Sequence, residues 1–327
     1  MRSRLLTRVA AAAAAVTALA TVTACSDDGP AATTDHPVVV ASTDVWASVA
    51  RAVGGDHAEV IALYNSPDGD PHEFEPSLAD TAKIKDGNVL VFNGGHYDAY
   101  FETAAADAEG HSVNASAVHE GKDPDTHEEH DHEGHDHEGD DHEGEAGHHH
   151  HADGENEHVF YDLPTVAEVS EKIADALAEV NPGEADYYRT NADDFVAGID
   201  GLNQRLAAIK KAHDGTEVAA TEPLATYLLE QAGLKDIAPA AFTAAIENGQ
   251  SPSAADMAAF TDLLTDHRAK ALIYNTQTVD PATESVLGTA RRAGVPVVEL
   301  TESLPAGVTD YLVWQGDQIT QLEQALG

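Results

Sequence analysis

A tract of alternating histidine and acidic residues carries the most evident chemistry in this 327-residue sequence. Residues 123–157 contain no Lys or Arg, and ten histidines fall between positions 127 and 151. They are His127, His130, His132, His135, His137, His142, His148, His149, His150 and His151. Imidazole-rich sets suit Zn²⁺, Cu²⁺ and Ni²⁺ better than Mn²⁺, so the tract predicts weak, exchangeable sites for such ions. The alternative is a solvated low-complexity insertion without function, and either reading predicts disorder without metal because apolar residues are lacking.

A second candidate, His72, lies in the loop segment 66–77, directly after a short apolar run. In α/β lobes, ligands bind in the loops at the carboxyl ends of strands, and this position therefore favours a functional role for His72. The alternative is an ordinary histidine in a surface loop.

Short apolar runs alternate with amphipathic stretches along both halves of the chain. The predicted strands are 38–41, 60–63 and 89–92 in the first half, and 217–221, 272–274 and 295–300 in the second. This alternation predicts an α/β fold with two β/α lobes and largely parallel sheets. Apolar residues at helical spacing also predict one long helix over about 184–211, and such a helix would span ~40 Å.

The amino terminus has the pattern of a secretory signal, with three Arg in the first eight residues followed by an apolar run, 9–22. The run ends just before Cys25, the only cysteine in the chain, so no intramolecular disulfide can form. Small residues before a single cysteine resemble a bacterial lipobox, which predicts lipidation of Cys25 after removal of residues 1–24. The alternative is a plain signal peptide with an incidental cysteine. Residues 25–35 are small and polar and predict a flexible tether.

The charge balance argues against a nucleic-acid partner. The chain has 58 acidic and 17 basic residues, a formal net charge of −41. Phosphate binding needs clustered Lys and Arg, whereas this composition suits a cationic ligand.

Several motifs taken together resemble the zinc and manganese class of ABC-transporter solute-binding proteins. The first is Asp70-Pro-His-Glu-Phe-Glu-Pro-Ser77, which contains His72. The others, in chain order, are Asn93-Gly-Gly95, Asn156-Glu-His-Val-Phe-Tyr-Asp162, Tyr187-Tyr-Arg-Thr-Asn191 and Thr301-Glu-Ser303. The resemblance covers the whole mature chain, and it implies two lobes joined by one rigid helix with the metal in the cleft between them.

Position by position, the resemblance implies four metal ligands, two from each lobe: His72, His158, Glu222 and Glu302. Many zinc-binding relatives have His at the third position, and Asp is more frequent at the fourth. Two imidazoles with two carboxylates can neutralise a divalent ion. His96 and Glu73 are additional candidates. The carboxylates resemble the manganese and iron relatives, whereas the His-rich loop resembles the zinc relatives; coordination chemistry favours Zn²⁺, with Mn²⁺ or Fe²⁺ as the alternative.

The resulting interpretation is a monomeric, lipid-anchored extracytoplasmic protein that captures Zn²⁺ and delivers it to the permease and ATPase of an ABC importer. The expected organisation is signal peptide 1–24, tether 25–35, an N-terminal lobe 36–162 with its disordered loop 123–157, a helical segment 163–213 and a C-terminal lobe 214–327. A surface protein that buffers metal or mediates adhesion is one alternative. A metalloenzyme is disfavoured, because no His-Glu-x-x-His helix or Ser, His and Asp arrangement is present.

Overall fold

The computed structural model describes residues 33–67, 69, 71–121 and 156–327, without the side chain of Glu73. The first lobe contains a parallel four-stranded sheet with the order β2-β1-β3-β4. Its strands are β1 (Val38–Thr43), β2 (Glu59–Tyr64), β3 (Val89–Phe92) and β4 (His111–Asn114). Its helices are α1 (Asp44–Gly54), α2 (Leu78–Asp86), α3 (Ala99–Ala105) and α4 (Ala115–His119). All four apolar residues of β3 and all but the first residue of β1 are buried, as expected of strands that are covered on both faces.

The second lobe repeats this arrangement with a parallel sheet of order β6-β5-β7-β8. Its strands are β5 (Glu217–Ala220), β6 (Lys235–Asp236), β7 (Leu272–Asn275) and β8 (Val297–Leu300). Its helices are α7 (Thr226–Gln231), α8 (Ala240–Glu247), α9 (Ala254–Thr265), α10 (Pro281–Ala293) and α11 (Tyr311–Leu326). Because both sheets are parallel, each lobe presents several loops at the carboxyl edge of its sheet.

Two antiparallel helices connect the lobes, α5 (Leu163–Val180) and α6 (Ala185–His213). Helix α6 has 29 residues and is therefore about 43 Å long. Its apolar stripe is buried; the stripe consists of Tyr188, Ala192, Phe195, Ile199, Leu202, Leu206 and Ile209. This stripe belongs to one continuous apolar core that also includes residues of both sheets, so α6 packs against both lobes along its length.

The predicted α/β architecture, with two parallel-sheet lobes and one long helix, is confirmed. The strands β4 and β6 were not predicted from the sequence. Only one of the four β4 residues is buried and both β6 residues are exposed, so neither strand has the apolar pattern that reveals a strand. Among the described residues, no helix is long and apolar enough to cross a membrane.

Candidate metal centre

Three of the four predicted ligands lie together between the lobes. The ligand atoms of His72, His158 and Glu302 all lie within 4.8 Å of one another. His72 belongs to the short 3-10 turn Pro71–Glu73 that follows β2, and Glu302 follows β8. Glu302 Oε2 is 3.4 Å from His72 Nε2 and 3.8 Å from His158 Nε2. The cluster therefore joins loops at the carboxyl ends of strands from two different sheets.

His158 is oriented by its neighbour Asn156. Its Nδ1 lies 2.8 Å from the amide oxygen Oδ1 of Asn156, which can only accept a hydrogen bond, so the ring proton is on Nδ1. The other nitrogen, Nε2, is buried and has no hydrogen-bond partner among the described residues. Burial, partly opposed by the charge of Glu302, lowers the pKa of His158 to about 4. A neutral imidazole thus directs its lone pair into the cluster, which is the state that a metal ion requires.

The backbone next to His158 is fixed from two sides. Nδ2 of Asn93, in the Asn-Gly-Gly segment after β3, donates a 2.8 Å hydrogen bond to the carbonyl of Glu157. Nδ2 of Asn156 donates a 2.7 Å bond to the carbonyl of Pro223 in the second lobe. Because a buried amide is costly to leave without a partner, these bonds favour one position for the His158 backbone.

Glu302 is only 2% exposed and accepts side-chain hydrogen bonds at both carboxylate oxygens. Asn275 Nδ2 donates to its Oε1 at 2.6 Å, and the Tyr97 hydroxyl donates to its Oε2 at 3.2 Å. Burial acts to raise the pKa of Glu302, but the interactions with His72, His158 and Asn275 outweigh it and the pKa is lowered. Glu302 is therefore held as a carboxylate, with Oε2 on the side of the two imidazoles.

Glu222 lies at the same cleft but outside the group of three. It is 3% exposed, and its Oε2 accepts a 2.9 Å hydrogen bond from Nδ2 of Asn275, the same amide nitrogen that binds Glu302. Glu222 also lines a cavity of about 320 Å³ together with His72 and Glu247. Asn275 thus couples the two carboxylates that the family resemblance assigns to the second lobe.

The remaining predicted site residues are placed differently. His96 is exposed, has a positive φ of 76° and belongs to neither of the ligand groups found among the described residues. The side chain of Glu73, the ten histidines of the tract and Cys25 all lie outside the described part of the structure. Residues 156 and 157, assigned above to the end of the disordered loop, are described and contact the site.

The structure adds two carboxylates that the sequence analysis did not single out, Glu157 and Glu247. Glu157 Oε1 is 3.8 Å from Nδ1 of His72, and Glu247 Oε1 is 3.8 Å from Nε2 of His158. Burial raises the pKa of Glu157, an effect that His72 partly offsets. Because Glu157 directly precedes the predicted ligand His158, its position in the sequence could have identified it as a candidate. No sequence feature pointed to Glu247, which is the last residue of helix α8, a helix that was not predicted.

The donor set can hold a divalent ion. Two imidazoles and one or two buried carboxylates supply nitrogen and oxygen ligands in a site that is closed on the inner side, and the carboxylates compensate the charge of the ion. The buried, unpartnered Nε2 of His158 is the direct structural indication, since a buried polar atom without a partner is otherwise costly.

A two-lobed α/β protein with one long helix packed against both lobes and a His and carboxylate cluster in its cleft has the form of a metal-binding solute-binding protein. The profile of the family described as ZnuA, zinc-uptake complex component A, periplasmic, matches residues 39–325. The chain belongs to this family, which confirms the resemblance inferred from the sequence. It is a family of transport binding proteins.

Individual relatives are distant. The high-affinity zinc uptake system protein ZnuA of Bacillus subtilis is 26% identical over 211 residues, which are 63% of this chain and 60% of that protein. The manganese-binding lipoprotein MntA of B. subtilis is 22% identical over 294 residues, 86% of this chain and 85% of MntA. The chain thus spans less than two thirds of the first of these relatives. The solved structure of the laminin-binding protein Lmb of Streptococcus agalactiae superposes with a TM-score of 0.68 at 20% identity, covering 89% of this chain and all of Lmb.

Proposed function

We propose that this chain binds one divalent transition metal ion outside the cytoplasm and delivers it to an ABC importer, with Zn²⁺ as the preferred ion. The observation that carries the proposal is the convergence of His72, His158 and Glu302, with the lone pair of His158 Nε2 directed into the cluster. Glu222 is the fourth proposed ligand, because Asn275 holds its carboxylate beside that of Glu302.

Binding would connect the two lobes through the ion. His72 belongs to the first lobe and His158 directly precedes the connecting helices, whereas both carboxylates come from the second lobe. The ion would offset the negative charge of Glu222 and Glu302, and it would bind the lone pair of His158 Nε2. Both effects stabilise the arrangement in which the loops of the two lobes meet, and the partner permease would recognise that loaded surface.

Mn²⁺ is the second candidate, and a specific observation favours it. The carboxylate content of the cluster suits a harder ion than a site of three histidines would, and the manganese-binding relative matches most of this chain. Zn²⁺ remains the first choice because a mixed imidazole and carboxylate site binds Zn²⁺ more tightly than Mn²⁺ on general coordination grounds.

Element analysis of the purified full chain, followed by competitive titration of Zn²⁺ against Mn²⁺, tests this proposal. The expected result is one tight ion per chain with Zn²⁺ preferred. Deleting residues 122–155 distinguishes this proposal from the alternative in which the His-rich tract buffers metal and is the whole function. That deletion keeps Asn156 and Glu157 in place, and one tight site should remain. Loss of all tight binding would favour the buffering alternative.

A lipid anchor at Cys25, a monomeric state and the absence of catalytic activity belong to the same proposal. Replacing Cys25 by Ala should move the protein from the membrane fraction to the soluble fraction, because a single acyl-modified residue would be its anchor. A variant that stays with the membrane would contradict the anchor.

A further inference from the structure

The two ring nitrogens of His72 face carboxylates on different sides. Nε2 is 3.4 Å from Oε2 of Glu302, whose side chain is 1% exposed. Nδ1 is 3.8 Å from Oε1 of Glu157, whose side chain is 22% exposed. One imidazole therefore has both a buried neighbour and a solvent-accessible neighbour.

A second ligand group surrounds the accessible side of His72. Ligand atoms of His72, Glu157 and Glu247 also lie within 4.8 Å of one another. The Glu247 side chain is 20% exposed and borders the cavity of about 320 Å³ at the cleft. The two groups share only His72, and the second is the more accessible of the two.

The buried His158 links the groups. Its Nε2 lies 3.8 Å from Oε1 of Glu247 and 3.8 Å from Oε2 of Glu302, and it has no hydrogen-bond partner among the described residues. Glu247 therefore belongs to the second, more accessible group and also lies close to the buried nitrogen of His158 in the first group.

We propose that His72, Glu157 and Glu247 form an outer capture position from which a divalent cation moves inward to His72, His158 and Glu302. This inference rests on the proposed function, because it describes how an ion reaches the same site. A neutral imidazole has one lone pair, so His72 serves one position at a time and the chain holds one ion in the cleft. On the inward step the ion passes from the Nδ1 side of His72, beside Glu157, to its Nε2 side, beside Glu302, while Glu247 stays within reach of the ion.

The physical advantage of the outer group is kinetic. Two accessible carboxylates at the mouth of a low-dielectric cleft attract a cation and raise its association rate, whereas the buried ligands determine how slowly the ion leaves. The outer carboxylates should therefore affect the association rate constant far more than the dissociation rate constant.

Stopped-flow measurement of Zn²⁺ association and dissociation tests this separation. The background is the full chain with the ten tract histidines replaced by Gln, so that the tract does not contribute imidazoles. The variant is Glu157→Gln combined with Glu247→Gln, which keeps side-chain size. The charge-matched control is Glu109→Gln combined with Glu171→Gln, since both of these glutamates are exposed and belong to neither ligand group.

We expect association to slow by ~10-fold in the Glu157 and Glu247 variant, with dissociation changed by less than ~3-fold and the control unaffected. An unchanged association rate constant would overturn the proposal. Faster dissociation without slower association would also overturn it, because both carboxylates would then be ligands of the stably bound ion. Equal slowing in the control would overturn it by assigning the effect to net charge. If the double variant does not fold, the two single variants should each slow association. Failure of the background protein to bind Zn²⁺ at all would instead refute the proposed function.

Discussion

His158 donates from Nδ1 to Oδ1 of Asn156 across 2.8 Å, and this bond determines which nitrogen of the imidazole faces the cleft. The same amide oxygen accepts the backbone N–H of His158 at 3.0 Å. Asn156 therefore fixes both the tautomer and the local backbone of a proposed ligand that is fully buried.

Replacing Asn156 by Ala should weaken Zn²⁺ binding by ~10- to 100-fold, the range typical when a partner that orients a metal-ligating histidine is lost. Competitive titration with a chromophoric chelator measures the change. Asn191→Ala is the matched control, because Asn191 donates to the carbonyl of Val53 from helix α6 and contacts none of the proposed ligands. Wild-type affinity in the Asn156 variant would show that the tautomer is not set by this residue.

Gln277 is predicted to hold the two ligand-bearing loops together. Its Oε1 accepts the backbone N–H groups of Glu302 at 2.6 Å and Ser303 at 2.9 Å, and its Nε2 donates to the carbonyl of Pro67 in the loop before His72 at 2.8 Å. Gln277→Ala should lower Zn²⁺ affinity by roughly 10-fold and destabilise the fold by about 1–3 kcal/mol, because buried N–H groups lose their acceptor.

The control for that prediction is Gln231→Ala, which removes a 2.7 Å bond to Asp162. It should reduce the free energy of unfolding, measured by urea denaturation, without altering metal affinity. Equal losses of affinity in both variants would mean that general destabilisation explains the effect of Gln277.

Acid should release metal from the His-rich tract before the cleft. Burial lowers the pKa of His158 to about 4, so this nitrogen stays free of protons as the pH falls through ~6.5, where solvated histidines titrate. A variant lacking residues 122–155 should have its release midpoint about one pH unit below that of the average site in the full chain. Zn²⁺ release followed by chelator absorbance checks this, and coincident midpoints would contradict the division between tract and cleft.

Asp44 offers a prediction on stability rather than binding. It is a buried carboxyl at the start of α1, and its Oδ2 accepts the N–H of Leu304 at 3.2 Å. Burial raises the pKa of Asp44 from 3.8 to about 7, so between these values the folded state holds a proton that the unfolded state does not. Stability from this group is thus present at low pH and lost as the pH rises through 7.

Asp44→Asn should accordingly stabilise the metal-free protein above pH 7, by about 2 kcal/mol, and have no stabilising effect near pH 4. Asp80→Asn is a control of opposite sign. Its hydrogen bonds to Lys83 and Ser77 lower its pKa to about 2, so removing that charge should reduce stability at neutral pH. Urea denaturation across pH 4–8 measures both. If Asp44→Asn changed the free energy of unfolding equally at every pH, the charge of the Asp44 carboxylate would not be the cause of the stability change.

The sequence predicted those parts of the site that depend on local pattern. Strands such as β1 and β3 contain short apolar runs that the sequence pattern reveals, and the loop after β2 directly suggested His72. The sequence pattern did not predict the contacts of Glu247 and Gln277, because these contacts involve chain segments that are far apart in the sequence. Pro67 and Gln277, for example, are 210 positions apart. Glu157 was missed for another reason, since it borders a low-complexity tract whose composition conceals an ordered turn.

The most direct test of the central claim is a crystal structure of the Zn²⁺-loaded full chain with anomalous diffraction recorded at the zinc edge. The account predicts one strong peak in the cleft, bonded at ~2.0–2.1 Å to Nε2 of His72 and of His158 and at ~2.0–2.2 Å to a carboxylate oxygen of Glu302. Glu222 is the expected fourth ligand. A zinc peak bound by other residues, with His158 Nε2 left without a metal, would contradict it.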